Sequence, residues 1–273
     1  MLSLDVAIST YQPDGILRVE KMLAPLSIKE GVRYIVSWQE HQNAEIPLSL
    51  ITRGDVEVYR LNEKGLSNNR NNALAHCRGD IILIADDDLI YQNDFAERII
   101  DTFQSDPSLD LAIFKIDFLN KKSYPASSCI LKLPFPKNYY VTSMEIAFRR
   151  ISLGDLRFYP ELGLGSKSMH CGEEEMFVAS AIRRNKICRF INLEIASHSQ
   201  PTTGDRINSK IIKAQGFIIS LIYGMSGIMR MPIKAFRIKK YKKYSFFKSI
   251  IHLSHGSITY HLTKNKIPKR YRW

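Results

Sequence analysis

Three consecutive aspartates, Asp86-Asp87-Asp88, follow Ile81–Ala85, an unbroken apolar run bounded by polar residues. Such a run predicts a strand covered on both faces. The carboxylates then fall at the carboxyl end of an interior strand, where open α/β sheets bind ligands. Adjacent carboxylates repel one another and favour a counter-cation. Hard oxygen donors at this spacing suit Mg²⁺ or Mn²⁺ carrying a phosphate. A second acidic group, Glu173-Glu174-Glu175, follows Gly172 and opens Glu173–Arg184. Met176, Phe177, Ala179, Ala181 and Ile182 give that segment a helical apolar stripe. By itself, an acidic first turn is a feature of helix starts, stabilised by the helix dipole.

The elements that must hold these groups follow from the same pattern. Leu4–Ser9 reads as a short strand ending in Ser9-Thr10-Tyr11-Gln12-Pro13, and Arg33–Ser37 as a second strand followed by Trp38-Gln39. Val56–Leu61 is a third strand leading into a turn at Gly65. Ser67 or Asn68 is placed to cap a helix running through Ala75, with Gly79 near its end. Arg70 lies in the first turn of that helix, where backbone and guanidinium both favour an anion. Asp94 and Glu97 have the spacing of a capping box for the next helix. Leu109–Phe118 and Cys188–Ala196 read as later strands, the last followed by Ser197-His198. Strands alternating with helices predict an α/β fold with a mainly parallel central sheet.

Asp86-Asp87-Asp88 after an apolar strand, with Gly65…Arg70-Asn71 upstream and Gly172-Glu173-Glu174 downstream, resembles the family 2 glycosyltransferases. The resemblance covers Leu4 to Ser199 and implies a GT-A-type, Rossmann-like three-layer domain. It implies a D-x-D motif in which Asp88 and Asp86 hold Mn²⁺ or Mg²⁺ on the donor's diphosphate, with Asp87 in the donor site. His198 stands where a late histidine completes the cation's shell. Ser9, Thr10 and Tyr11 match the loop that cradles the nucleotide base, with Gln12 where Asn is usual. An acid is usual after the second strand, so Gln39 is the candidate base contact and Trp38 a candidate stacking ring. Arg70 matches an arginine set against the nucleotide. Matching Gly172-Glu173-Glu174 to the family's Glu-Asp places Glu174 as catalytic base with Glu173 beside it. Because Glu replaces Asp, the choice between the two stays open. The resemblance implies an inverting transfer from a nucleotide-diphosphate sugar, with UDP favoured, to a hydroxyl of a glycan or glycolipid, in surface polysaccharide synthesis. In this fold the region after the metal loop shapes the acceptor side, which makes Lys121, Lys122 and Tyr124 candidate acceptor contacts.

The chain has 273 residues and a net charge of +12, unevenly placed. Arg206–Trp273 holds 16 basic and no acidic residues, leaving 23 basic and 27 acidic residues in the first 205. Two units are therefore expected: residues 1–205 as the transferase domain and 206–273 as a basic, helical extension. Within the extension, lysines between Arg237 and Lys248 are interleaved with Tyr241, Tyr244, Phe246 and Phe247, which suits an anionic membrane surface. No nucleic-acid motif accompanies them, so nucleic acid is the poorer partner. Cys77, Cys129, Cys171 and Cys188 lack metal-ligand spacing and are expected as buried free thiols. MLSLDVAIS is too short and polar for a signal peptide, and no run approaches the roughly 18 apolar residues of a bilayer span. A cytoplasmic protein, peripheral at the inner face of the membrane, is the expectation. The rival readings are a nucleotidyltransferase, which calls for a glycine- and lysine-rich first loop absent here, and a non-enzymatic RNA- or membrane-surface protein.

Overall fold

The computed structural model describes residues 2–118, 122–136, 139–198 and 207–272. In chain order the first half comprises β1 (Leu4–Tyr11), α1 (Gly15–Leu23), β2 (Val32–Gln39), α2 (Leu48–Ile51), β3 (Val56–Leu61), α3 (Leu66–His76), β4 (Ile81–Asp86), β5 (Ile90–Tyr91) and α4 (Phe95–Ser105). There follow β6 (Leu111–Phe118), β7 (Cys129–Ile130), β8 (Ile146–Arg149), α5 (Arg150–Leu153), α6 (Glu173–Arg183), β9 (Cys188–His198), α7 (Ser209–Tyr223), α8 (Met231–Lys242) and α9 (Phe246–Thr263).

Strand β1 divides its side chains between two cores. Leu4, Val6 and Ile8 enter one core and Ala7 the other, and β4 does the same with Ile81, Leu83 and Ala85 against Ile82 and Ile84. That period-two division is what an unbroken apolar strand needs when both faces are covered. Helices α1 and α4 close the first face with Ile16, Val19, Phe95, Ile99 and Phe103. Helices α3 and α6 close the second with Ala73, Leu74, Phe177, Val178 and Ala181. The result is the expected three-layer α/β domain.

The sheet order is β3-β2-β1-β4-β8-β6-β9-β5, with β7 paired to β9. The long ladders β1–β2, β2–β3, β1–β4 and β6–β9 are parallel, while β8, β5 and β7 join by short antiparallel ones. From β1 the chain moves outward to β2 and β3, then returns to place β4 on the other side of β1. The carboxyl ends of β1 and β4 therefore flank a topological switch point, and Ser9 lies opposite Asp86 there.

Two expected helix caps do not form. Helix α3 begins directly after Gly65, which adopts φ 106°, and Ser67 donates to the carbonyl of Leu162 at 2.7 Å instead of capping. Asp94 makes no capping hydrogen bond to α4, and Glu97 pairs with Lys29. In both places a long-range partner outcompetes the local one.

The boundary expected at residues 205 and 206 lies outside the described residues. Beyond it, α7 packs on the sheet domain rather than standing apart. Phe217, Ile218 and Leu221 share a core with Leu162, Met169, Met176 and Ala179. Helix α9 lies along α7 and joins that core through Tyr260. Ser209–Tyr241 is, by length and composition, apolar enough to cross a membrane, in contrast to the sequence-based expectation, yet half of its most apolar window is buried inside the fold. Cys77 and Cys188 are buried free thiols; Cys129 and Cys171 are free and half-buried.

Candidate active site

The three aspartates point in three directions, each to its own partner. Asp86 Oδ1 accepts from Arg70 Nη2 at 3.2 Å. Asp87 Oδ2 accepts from Arg18 Nη2 at 3.0 Å and from the Thr10 hydroxyl. Asp88 Oδ2 lies 3.2 Å from His198 Nε2. The repulsion expected of adjacent carboxylates is relieved by this divergence. Asp87, pinned to β1 and α1, has its proton affinity raised by burial, against the pull of Arg18 and Thr10. It is a strut of the loop, not an open ligand position.

Arg70 is the hub. It is 2% exposed and lies over the ring of Phe158. Nη1 donates to Glu173 Oε1 at 2.9 Å and stands 3.6 Å from Glu174 Oε1; Nη2 donates to Ser143 Oγ at 2.5 Å as well as to Asp86. Burial alone would lower the guanidinium's pKa, but the carboxylates of Asp86, Glu174 and Glu173 raise it. The sequence-based expectation set Arg70 against the nucleotide. Instead it is enclosed, because a group of buried carboxylates requires a planar, always-charged counter-ion.

Glu173 and Glu174 occupy unlike environments although adjacent. Glu173 is buried and ion-paired, and the left-handed Gly163 (φ 95°) lies so close that a Cβ there would come within 3.0 Å of the Glu173 carboxylate. Glu174 keeps 18% of its side chain exposed. Its proton affinity is raised well above the ordinary carboxylate range by burial, then by the charge of Glu173, with Arg70 opposing. Glu175 is pushed up to about 7, first by burial.

At the end of β1, Tyr11 is 54% exposed with Arg18 stacked 5.6 Å from its ring centre. The Ser9 hydroxyl is buried and has no hydrogen-bond partner among the described residues. Thr10, Tyr11 and Ser9 thus line the switch point together. Trp38 cannot stack on a ligand as expected: it is fully buried and donates to the Gln12 carbonyl at 2.7 Å. Gln39 holds the loop before α3, donating its amide hydrogens to the carbonyls of Glu63 and Gly65. Lys121 lies outside the described residues. Lys122 and Tyr124 are engaged with internal partners. The Lys122 ammonium, fully enclosed, bonds both Glu145 oxygens at 2.7 and 2.6 Å among the rings of Tyr124, Tyr139 and Tyr140.

The expected metal ligands do not converge as a set of three. Asp88 and His198 meet, Asp86 turns to Arg70, and among the described residues no group of three or more histidine, cysteine or carboxylate side chains has metal-holding geometry. Asp88 Oδ1 is nevertheless buried without a hydrogen-bond partner. One carboxylate and one imidazole, with the remaining positions left to phosphate oxygens and water, fit a Mn²⁺ or Mg²⁺ site of the kind that rides on a diphosphate.

Residues 40–155 match the model of glycosyl transferase family 2. That segment is similar to the family, which supports reading the chain as a family 2 glycosyltransferase. Its three-layer domain is of the GT-A type, and the fold recurs in solved structures at low sequence identity. S. aureus TarS 1–349 in complex with UDP-GlcNAc shares 17% identity at a TM-score of 0.60, over 89% of this chain and 74% of that one. TarS in a longer form matches at 16% and 0.57, again over 89% of this chain, which spans 44% of that one. A mycobacterial protein matches at 14% and 0.56, over 81% and 75%. No match is found among curated protein sequences.

At this site, sequence reasoning missed three positioning groups: Arg18, Asn69 and Ser143. Asn69 donates to the Thr10 carbonyl at 2.8 Å and ties α3 to the β1 loop. Arg18 had a local signal, since Asp14 lies four residues before it and the pair forms. Ser143 had none, because its partner is 73 residues away.

Proposed function

We propose that the chain transfers a sugar from a UDP-sugar to a hydroxyl of a glycan or lipid-linked acceptor, by one displacement with inversion. The observation that carries this reading is the Arg70 bridge. It pairs Asp86 on the donor side with Glu173 at the start of α6, and leaves Glu174 as the adjacent carboxylate with raised proton affinity and solvent access. A general base needs both properties, so Glu174 takes the role and Glu173 positions Arg70. The acceptor hydroxyl gives its proton to Glu174 as its oxygen attacks the anomeric carbon. The bond from that carbon to the diphosphate breaks, and UDP leaves with the electron pair.

Ser9 and Tyr11 offer a hydroxyl and an exposed ring to the nucleotide at the switch point. TarS, which shares the fold, has been solved with UDP and with UDP-GlcNAc. That supports a uridine donor here. Asp88 and His198 would hold Mn²⁺ or Mg²⁺. When bound, the cation neutralises charge on the departing diphosphate. The acid-free extension favours work at the inner face of an anionic membrane, where a lipid-linked acceptor of surface polysaccharide synthesis is found.

Glu174→Gln is expected to lower turnover by about 10²- to 10⁴-fold while calorimetry still shows UDP binding. Wild-type turnover in that variant would remove Glu174 as the base. Asp88→Ala is expected to abolish the Mn²⁺-dependent part of UDP binding.

A further inference from the structure

Helix α9 turns a stripe of large apolar side chains away from the protein. Its buried face is made of Ser249, Leu253, Gly256, Ser257 and Tyr260. Small residues there let α7 approach very closely. A Cβ at Gly256 would sit 1.9 Å from the Lys213 carbonyl oxygen, and one at Gly216 of α7 2.0 Å from that of Leu253. Ser220 and Ser257 hydrogen-bond across the same seam at 2.7 Å. On the opposite face, Phe247, Ile251, His255, Ile258 and Leu262 recur every three or four residues and so share one narrow stripe. The four apolar members are between 52% and 77% exposed.

The neighbouring helix repeats the pattern. Met231, Ala235 and Ile238 of α8 face inward. Met229 in the preceding turn, with Ile233 and Phe236, lies on the outer side at spacings of four and three. Arg237, Lys239, Lys240, Lys243 and Lys248 are exposed beside these apolar residues. Small residues at the helix–helix contact and large apolar ones outside are how helices pack when their surroundings are hydrocarbon. Basic residues beside such a stripe mark a helix lying in an anionic interface.

We infer that the outer stripes of α8 and α9 are a lipid-contact surface: the extension inserts them into the acyl boundary of an anionic bilayer, with the neighbouring lysines and arginines on headgroup phosphates. This rests on the proposed membrane setting and deepens it, from attraction of charge to insertion of named side chains. Charge decides the occupant. Two copies meeting through this face would bring basic residues onto basic residues, with no acid from 206 to 273 to relieve them. A bilayer supplies both the apolar depth and the negative charge. The extension that carries this surface adjoins the candidate site, because the buried Ile218 of α7 packs within 2.6 Å of where a Cβ of Gly172, immediately before Glu173, would be.

The test uses the full chain and vesicles of phosphatidylcholine, alone or mixed with phosphatidylglycerol, in sedimentation at low and high salt. The wild type should bind the anionic vesicles and retain part of that binding in high salt. The combined variant Phe247→Ser, Ile251→Ser, Ile258→Ser, Leu262→Ser should lose the salt-resistant part, with partitioning weaker by roughly 100-fold or more. Met229→Ser with Ile233→Ser and Phe236→Ser provides a second route should the first variant fold poorly. Vesicle binding unchanged in both variants, or absent in the wild type, would overturn the inference. So would a wild-type dimer, seen by light scattering, that the substitutions dissociate. UDP calorimetry on the same samples reads the donor site separately. Lost vesicle binding with intact UDP binding concerns this surface alone, and absent UDP binding concerns the transferase reading alone.

Discussion

The helices of the sheet domain and those of the extension solve the same packing problem in opposite directions. In α4, Phe95, Ile99 and Phe103 point inward, and polar residues such as Glu97 and Arg98 face out. In α9 Ser249, Gly256 and Ser257 point inward beside Leu253 and Tyr260, while Phe247, Ile251, Ile258 and Leu262 face out. The charges differ in the same sense. Around the candidate site four carboxylates have cationic partners: Asp86 and Glu173 have Arg70, Asp87 has Arg18, and Glu145 has Lys122. The extension has 16 basic residues and no acidic one to pair with them. The contrast teaches that the first region is organised for water outside and a charged site inside. The second, on the proposed membrane reading, suits an apolar, anionic environment that the protein itself does not supply.

The largest effects that could break this comparison come from removing a partner. Arg70→Gln strands Glu173 and leaves Asp86 without its ion pair, and should destabilise the chain by about 3–5 kcal/mol. Arg237→Gln in the extension removes an exposed charge with no acidic neighbour in its own region and should change stability by less than about 0.5 kcal/mol. Thermal or urea unfolding of the two variants reads the difference directly. Equal small losses would mean that Arg70 is not the counter-ion the site depends on. The packing contrast has its own pair of substitutions. Gly256→Ala forces a methyl group against the Lys213 carbonyl and should cost about 1–3 kcal/mol as α7 and α9 separate. Ile251→Ser removes a large side chain from the exposed stripe and should cost less than about 0.5 kcal/mol in water. If Ile251→Ser proved the costlier, α9 would be packed the other way round.

The sequence carried the architecture well wherever burial was two-sided. Ile81–Ala85 read as an interior strand because no other placement hides five successive apolar residues, and the aspartates followed to its end. It carried the direction of the side chains poorly. Nothing local says that Asp86, Asp87 and Asp88 diverge, because their partners Arg70, Thr10, Arg18 and His198 arrive from four different elements. Arg70 read as a surface anion contact because its position in the first turn of a helix was visible while Glu173, 103 residues later, was not seen as its partner. Trp38 and Gln39 were read as ligand contacts for the same reason: aromatic and amide groups at a strand end are equally suited to bracing a loop. In the extension the composition was legible but not its orientation, since a stripe at helical spacing is ordinarily a core face.

The smallest expected effect lies where the charges of the two regions meet. Glu175 follows the candidate base, and its pKa is pushed up to about 7, first by burial and with Glu173 adding to it. Lys122 from the sheet domain and Lys234 from α8 pull the other way. A carboxyl group whose folded value lies above its unfolded one contributes stability that is fully present below the unfolded pKa, about 4.3, and lost as pH rises through about 7. Glu175→Gln keeps the neutral form at every pH. The variant should therefore gain on the wild type between pH 5 and pH 8, by about 1–2 kcal/mol after allowance for solvent screening. Unfolding free energies measured at both pH values give the sign. A pH-independent difference would mean that Lys234 and Lys122 already hold Glu175 ionised across that range. The extension would then act on the site through charge as well as through the packing of Ile218 on Gly172.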